Sequence, residues 1–351
     1  MVSFACAPIG GHAARQAMLA GETRLLCGAT HVHAQATAFT VYSRGRYWIV
    51  PPGYGRHASR FQNVVTVNGS GQLWDAAHAA SIVAHALADD LVYALGDASA
   101  CYPAEYGIRR HQRHFLFLRP DFLILCDILE ADAGPARPVR HYAWQLHTDP
   151  AVAAVRFEPG RLLLEALDGS DRIIAHLLFP ETYREADAGR HAAVSTERYG
   201  LAQSRLLAAD GTPLLEQSAV LLNFGGPPRA VYLAVLALTE RAQALPVARL
   251  AGEGCVRALL GTGPETRAIL FAEEPGTGAL AYRIEPAHAA RHLIAGLTPG
   301  QRYRVTAQPS PRLEPPPRAL QPAEEYYVHR HSLQAGEGMT VSAASLLQFA
   351  C

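Results

Sequence analysis

Residues 28–72 read GATHVHAQATAFTVYSRGRYWIVPPGYGRHASRFQNVVTVNGSGQ, and their pattern decides the fold class. Phe39 and Val41 alternate with Thr40 and Tyr42, which is the period of a half-buried strand. A second apolar run ends in Pro51-Pro52-Gly53-Tyr54, and a third closes on Asn68-Gly69, a dipeptide suited to the left-handed backbone of a tight turn. On this pattern His31 and His33 are expected on a strand and on one face of it, with Cα atoms about 7 Å apart at the usual strand rise. Two imidazoles placed in that way can converge on one ligand.

Outward from this stretch the chain keeps alternating short apolar runs with turn chemistry. Residues 81–93, SIVAHALADDLVY, fit a short helix or two strands, and periodicity does not separate the two. Residues 113–127 predict two strands joined by the Arg119-Pro120-Asp121 turn. Further strands are expected at 162–166, 173–179, 219–223 and 231–238. Strands so spaced, punctuated by Gly, Pro and Asp, predict an all-β chain: a large antiparallel β-sandwich over 1–250. A smaller β unit is expected over 251–351, with strands at 256–260, 267–271, 281–284, 296–305 and near 339–349, and with a Pro-rich extended connector at 309–322. Toward the N-terminus Phe4 and Ala5 look like strand and residues 8–11 like a turn. The first residues, MVSFACAPIGGHAARQ, have no basic region followed by a sustained apolar core, so no signal peptide is expected.

Composition narrows the function classes. With 351 residues, 49% hydrophobic and 18% charged, the chain can bury an ample core as one large domain or two. The 31 basic and 31 acidic residues cancel, and there is no basic run, so nucleic acid is not an expected partner. Every basic residue is Arg, which fits bidentate carboxylate recognition but also the codon bias that explains the alanine excess, and the second account is preferred. The longest apolar run, 230–238, falls short of the roughly 20 residues of a membrane helix, so no membrane insertion is expected. The six cysteines are scattered without a metal-binding spacing, and Cys126 in FLILCDIL reads as a small buried hydrophobe, with disulfides left open. His111 and His114 stand three apart on an expected strand and so face opposite ways. There is no GxSxG elbow and no phosphate-binding loop. Asp89-Asp90 and Asp149 could serve as glycosidase carboxylates, but acids in a turn are ordinarily just solvated.

The opening stretch resembles the C-terminal β-sandwich of the heparinase II/III-like polysaccharide lyases. That family carries a Gly-His-x-His-x-Asp run, an Asp-x-Gly-Tyr, and a His-Asn ahead of a strand that closes on Asn/Asp-Gly-x-Gly-Gln. The matching residues here are His31, His33, Phe39, Gly53, Tyr54, Asn63, Asn68, Gly69, Gly71 and Gln72. The resemblance continues through 96–102, 113–129 and 142–147, about the first half of the chain, and beyond 180 only a general β pattern remains.

The resemblance implies β-elimination on a uronic-acid-containing glycan, in which the sugar carboxylate is neutralised, a base takes the C5 proton and an acid protonates the leaving oxygen. It implies His31 as the catalytic histidine facing the cleft, and Tyr54, Asn63 and Arg113 as residues meeting the acidic polysaccharide. His147 also matches a family-like position, without an assigned role. The family's enzymes carry a helical (α/α) toroid ahead of the sandwich, so a separate or upstream toroid is an implied partner. They are commonly exported, which implies a periplasmic or secreted location in a bacterium. The family's zinc site falls on His33, Pro51 and Gln62, and the acid two places after the histidine pair is Gln35. Only His33 keeps a ligand's identity, and a zinc site needs three or four N, S or O donors, so zinc is disfavoured and no cofactor is expected. Two functions follow: the sandwich half of a lyase, or a non-catalytic sandwich that binds acidic glycan or scaffolds an assembly.

Overall fold

A computed structural model describes residues 1–22, 32–51, 57–74, 78–132, 134, 141–149, 152–158, 160–179, 193–200, 216–225, 229–250, 252–262, 265–274, 279–284, 291–299, 302–310, 328–335, 339–340 and 346–350. His31, Tyr54 and nearly all of the Pro-rich connector lie outside the described residues. The chain divides into two compact units, Met1–Val83 with Leu87–Ala242, and Ala84–Ala86 with Gln243–Cys351.

The first unit begins β1 (Val2–Ala5), α1 (Gly11–Leu19), β2 (Ala38–Ser43), β3 (Arg46–Ile49) and β4 (Val65–Val67). It continues β5 (Ser81–Leu87), β6 (Leu91–Asp97), β7 (Ile108–Leu118), β8 (Phe122–Ala131), β9 (His141–Thr148), β10 (Ala153–Glu158), β11 (Arg161–Ala166) and β12 (Arg172–Phe179). It ends with β13 (Ala193–Gly200), β14 (Glu216–Gly225) and β15 (Arg229–Ala237), after which α2 (Glu240–Ala244) follows. Eight strands form one large sheet in the order β10-β11-β12-β15-β8-β7-β6-β5, with β13-β14-β9-β4 and β1-β2-β3 as smaller sheets. Residues 81–93 therefore resolve into two strands, and Asp89 and Asp90 are exposed in the turn between them. The Arg119-Pro120-Asp121 hairpin joins β7 to β8, closed by Asp121 N–H donating to the Leu118 carbonyl at 2.9 Å.

The core lies between the large sheet and the smaller ones. Leu123, Leu125 and Leu129 of β8 pack with Phe39 and Val41 of β2, Trp48 of β3, and Trp144 and Leu146 of β9. Phe122, Ile124, Cys126 and Ile128 on the opposite face of β8 are buried as well, which is why this central strand reads as an unbroken apolar run. Each fully buried aliphatic side chain of this kind contributes roughly 1.5–3 kcal/mol. Helix α1 was not anticipated from the sequence; its Ala-rich segment follows the turn at Gly10, which adopts a left-handed φ of 71°, and none of its residues is fully buried.

The second unit contains β16 (Val247–Arg249), β17 (Gly252–Glu253), β18 (Cys255–Leu260), β19 (Arg267–Ala272), β20 (Ala279–Ile284), β21 (Arg291–Ala295), β22 (Arg302–Ser310), β23 (Val328–Ala335), β24 (Met339–Thr340) and β25 (Leu346–Ala350). Its sheets run β16-β18-β19-β21-β25 and β17-β20-β23-β22-β24, and the β19–β21 pair is parallel. Leu250, Leu270, Tyr282, Ile294 and Tyr303 share its core.

Candidate functional site

His33 is not on a strand, against the sequence expectation. Strand β2 begins only at Ala38, and before it the chain turns, with Ala38 N–H donating to the Gln35 carbonyl at 2.8 Å. Thr37 takes φ 71° in this turn, a left-handed backbone that a β-branched residue rarely adopts. Neighbouring groups hold it there. Arg113 Nη1 donates to the Thr37 carbonyl at 2.6 Å. The Gln72 side chain closes on Ala36 from both sides, its Oε1 accepting from Ala36 N–H and its Nε2 donating to the Ala36 carbonyl, each at 2.8 Å. Gln72 N–H in turn donates to Ser59 Oγ at 2.8 Å, and that hydroxyl donates to the Ala34 carbonyl at 2.7 Å.

These bonds give a physical reason for the Asn68-Gly69-x-Gly71-Gln72 motif. Asn68 and Gly69 have φ of 51° and 76°, the left-handed conformations of the turn after β4. Gly71 passes so close to Ser59 that a Cβ there would lie 2.5 Å from Ser59 Cβ. Gln72 then ties down the segment that carries His33.

Beneath this segment lies a buried polar hub. Arg113 Nε donates to Asp127 Oδ1 at 2.7 Å with both side chains fully buried. Trp144 Nε1 donates to Asp127 Oδ2 at 3.0 Å, and His111 Nε2 lies 3.5 Å from Oδ1. Burial pushes the Asp127 carboxyl up, but the Arg113 guanidinium and the approach of His111 more than offset it, leaving the carboxyl below its ordinary range. Arg113 Nη1 also donates to the Asn63 carbonyl at 2.8 Å. Asn63 spans three segments: Nδ2 donates to the Phe39 carbonyl at 2.8 Å, and Oδ1 accepts from His147 N–H at 2.7 Å. Burial holds His147 down at about 4, against a smaller upward pull from the Arg60 carbonyl.

Asn63 and Arg113 were expected to meet substrate, and the structure places both side chains out of solvent. Both are 0% exposed, and their side chains bond to main-chain carbonyls and to Asp127, so they help assemble the fold beneath His33. His111 and His114 do face opposite ways: His111 Nδ1 lies 2.9 Å from Tyr102 Oη beside Asp127, and His114 Nδ1 lies 3.0 Å from Tyr93 Oη.

The accessible part of the site is a group of rings. His33 and His57 meet edge to face with centroids 4.9 Å apart, and the His57 ring lies 5.3 Å from that of Trp74, which is 44% exposed. Ala34 N–H donates to the His57 carbonyl at 3.1 Å, which keeps the two histidine segments side by side. Gln62 Nε2 lies 2.8 Å from His33 Nδ1. The His33 ring is shifted below its ordinary value by burial and by the neighbouring His57, with the Gln62 bond acting the other way. His57 and Trp74 were missed in the sequence because GRHASR and GQLW carry no periodic or motif signal; only the fold sets them beside His33.

The residues present do not fit zinc. Gln62 engages His33 Nδ1, Pro51 has no donor atom in its side chain, and among the described residues no group of three or more His, Cys, Asp or Glu could hold a metal.

A family model for the heparinase II/III-like C-terminal domain matches residues 17–236. The chain belongs to this family. This heparinase II/III-like chain also has the fold of solved relatives. Heparan sulfate lyase HepC from Pedobacter heparinus superposes with a TM-score of 0.51 at 12% identity, over 70% of this chain and 37% of that one. A heparinase III, the BT4657 gene product, gives a TM-score of 0.50 at 10% identity, over 69% of this chain and 36% of that one. The heparinase II/III-like chain thus spans a little over a third of the length of these enzymes. No curated protein matches it by sequence.

Proposed function

We propose that this polysaccharide lyase-related sandwich presents one wall of a site for a uronic-acid-containing glycan, with His31 as the catalytic histidine and Tyr54 as a substrate contact. The observation that carries the proposal is the partly exposed group of His33, His57 and Trp74, a ring-lined surface. An exposed indole offers an apolar face to a sugar ring while its N–H stays available for hydrogen bonding. An imidazole can accept a proton when neutral and give one when charged near neutral pH.

β-Elimination needs carboxylate neutralisation, a base and an acid. Arg113 and Asp127, which could have served, are consumed by each other. The remaining groups come from an (α/α) toroid, upstream or on a separate chain, acting in a periplasmic or extracellular setting. By itself the sandwich then binds the acidic glycan and does not turn it over, which is also what the alternative, a non-catalytic glycan-binding or scaffolding module, requires.

One experiment separates these. The purified chain, alone and with a toroid partner, is incubated with heparan sulfate, chondroitin, hyaluronan and alginate, and the ultraviolet absorbance of the unsaturated uronate product is followed beside equilibrium binding. Elimination lost in His31→Ala makes it a lyase half. Binding weakened by Trp74→Ala without elimination in any combination leaves the binding module. Neither binding nor elimination overturns the proposal.

A further inference from the structure

We propose that Gln62 does the work of a metal at this site: its side-chain amide fixes His33 as a neutral imidazole with the proton on Nε2, so the site is built to operate without zinc. The argument starts from what each atom can do. A glutamine Nε2 has only protons to give, so at 2.8 Å His33 Nδ1 must be the acceptor. A neutral imidazole carries one ring proton, which then sits on Nε2. A histidine that ligates a metal commits one nitrogen to it and donates from the other. Here Nδ1 is occupied as an acceptor and Nε2 has no lone pair, so His33 in this state cannot be a ligand through either nitrogen.

The backbone that carries this amide is fixed in place. Gln62 is 0% exposed and follows a short 3-10 turn, Ser59–Phe61, with its backbone N–H donating to the Ser59 carbonyl at 2.9 Å and its own carbonyl accepting from Val64 N–H at 2.9 Å. The same Ser59 reaches Ala34 and Gln72, so the Gln62 backbone and the segment bearing His33 share one frame. The edge-on contact with His57 orients the ring further. Gln62 is thus a positioning residue, acting through His33. If the proposed glycan site is right, the Nε2–H of this partly exposed histidine becomes a donor for a sugar or carboxylate oxygen. That consequence rests on the function above, but the test does not.

Long-range proton–nitrogen NMR reads the tautomer of His33 directly, without glycan. In the wild-type chain the proton is expected on Nε2. In Gln62→Glu, which is nearly isosteric but offers an acceptor, it is expected to move to Nδ1. Zinc content after dialysis against zinc should be substoichiometric, and the thermal midpoint should be unchanged by a chelator. A wild-type proton on Nδ1, or stoichiometric zinc that raises the midpoint, overturns the proposal. If Gln62→Glu does not fold, the wild-type tautomer and metal content decide it.

Discussion

Arg113 on β7 and Asp127 on β8 stand directly across from one another, and Nε of one donates to Oδ1 of the other at 2.7 Å with neither side chain exposed. Both lie on the core face of the large sheet, and Arg113 reaches on to the Thr37 and Asn63 carbonyls. One guanidinium therefore joins the central strands to both segments that frame the His33–Gln62 pair.

Removing one member strands the other. Arg113→Met leaves the Asp127 carboxylate buried without its cation and should lower stability by about 3–5 kcal/mol. The double variant Arg113→Met with Asp127→Leu should recover part of that loss. Urea unfolding curves measure both, and glycan binding should fall only in proportion to the folded fraction, since neither residue is exposed. Full stability with lost binding would return Arg113 to the substrate site.

Acid should unfold the protein in a defined window. Burial lowers His114 to about 3, His147 to about 4 and His176 to about 4. An unfolded histidine titrates near ~6.5, so below that pH the unfolded chain binds more protons than the folded one. Stability is thus fully present above about pH 6.5 and is lost as the pH falls toward the folded values, with His147 alone worth roughly 3 kcal/mol. The depressed carboxyl of Asp127 acts lower: its contribution is present above the unfolded value of ~3.9 and goes as the pH falls through the folded one. Urea midpoints between about pH 7 and about pH 4.5 test this, and a flat profile would contradict it.

The turn after β4 should tolerate no side chain at its second glycine. Gly71→Ala would force Ser59 to move, at a cost of about 1–3 kcal/mol. Gln72→Ala should cost about as much, by leaving the buried Ala36 N–H and carbonyl without their partner. Thermal melts give the size of each effect, and the His33 tautomer should blur in both because Ser59 and Gln72 anchor its segment.

The buried thiols should be inert. Burial pushes Cys6 up to about 12 and Cys255 to about 11, and Cys101 and Cys126 are buried too. Thiolate is the reactive form, so alkylation of these four in the native protein should be negligible and should appear only with denaturant. Mass spectrometry of peptides from iodoacetamide-treated protein reads each site separately.

Much of the fold was legible because strands announce themselves through local alternation and turn chemistry. Asn68-Gly69, Arg119-Pro120-Asp121 and the apolar run through Cys126 each sit where the pattern placed them. The family signature was equally legible, although several residues that carry it, the buried Phe39, Asn63 and Gln72 and the close-packed Gly71, build the fold. Helix α1 was not legible, since its nine residues after Gly10 are too few for a sustained helical period and none of them is fully buried.

The sequence by itself determined the all-β class, many of the strands and the residues Pro51 and Gln62 where the resemblance expects zinc ligands, because these depend on residue identity and on spacing along the chain. Only the tertiary structure decided that His33 precedes its strand, that Arg113 pairs with Asp127, that Gln62 and His57 meet His33, and that Trp74 meets His57. Those contacts join residues 14 to 29 positions apart. Their geometry is set by strand register and by where buried polar groups find partners, and neither is a property of any local stretch.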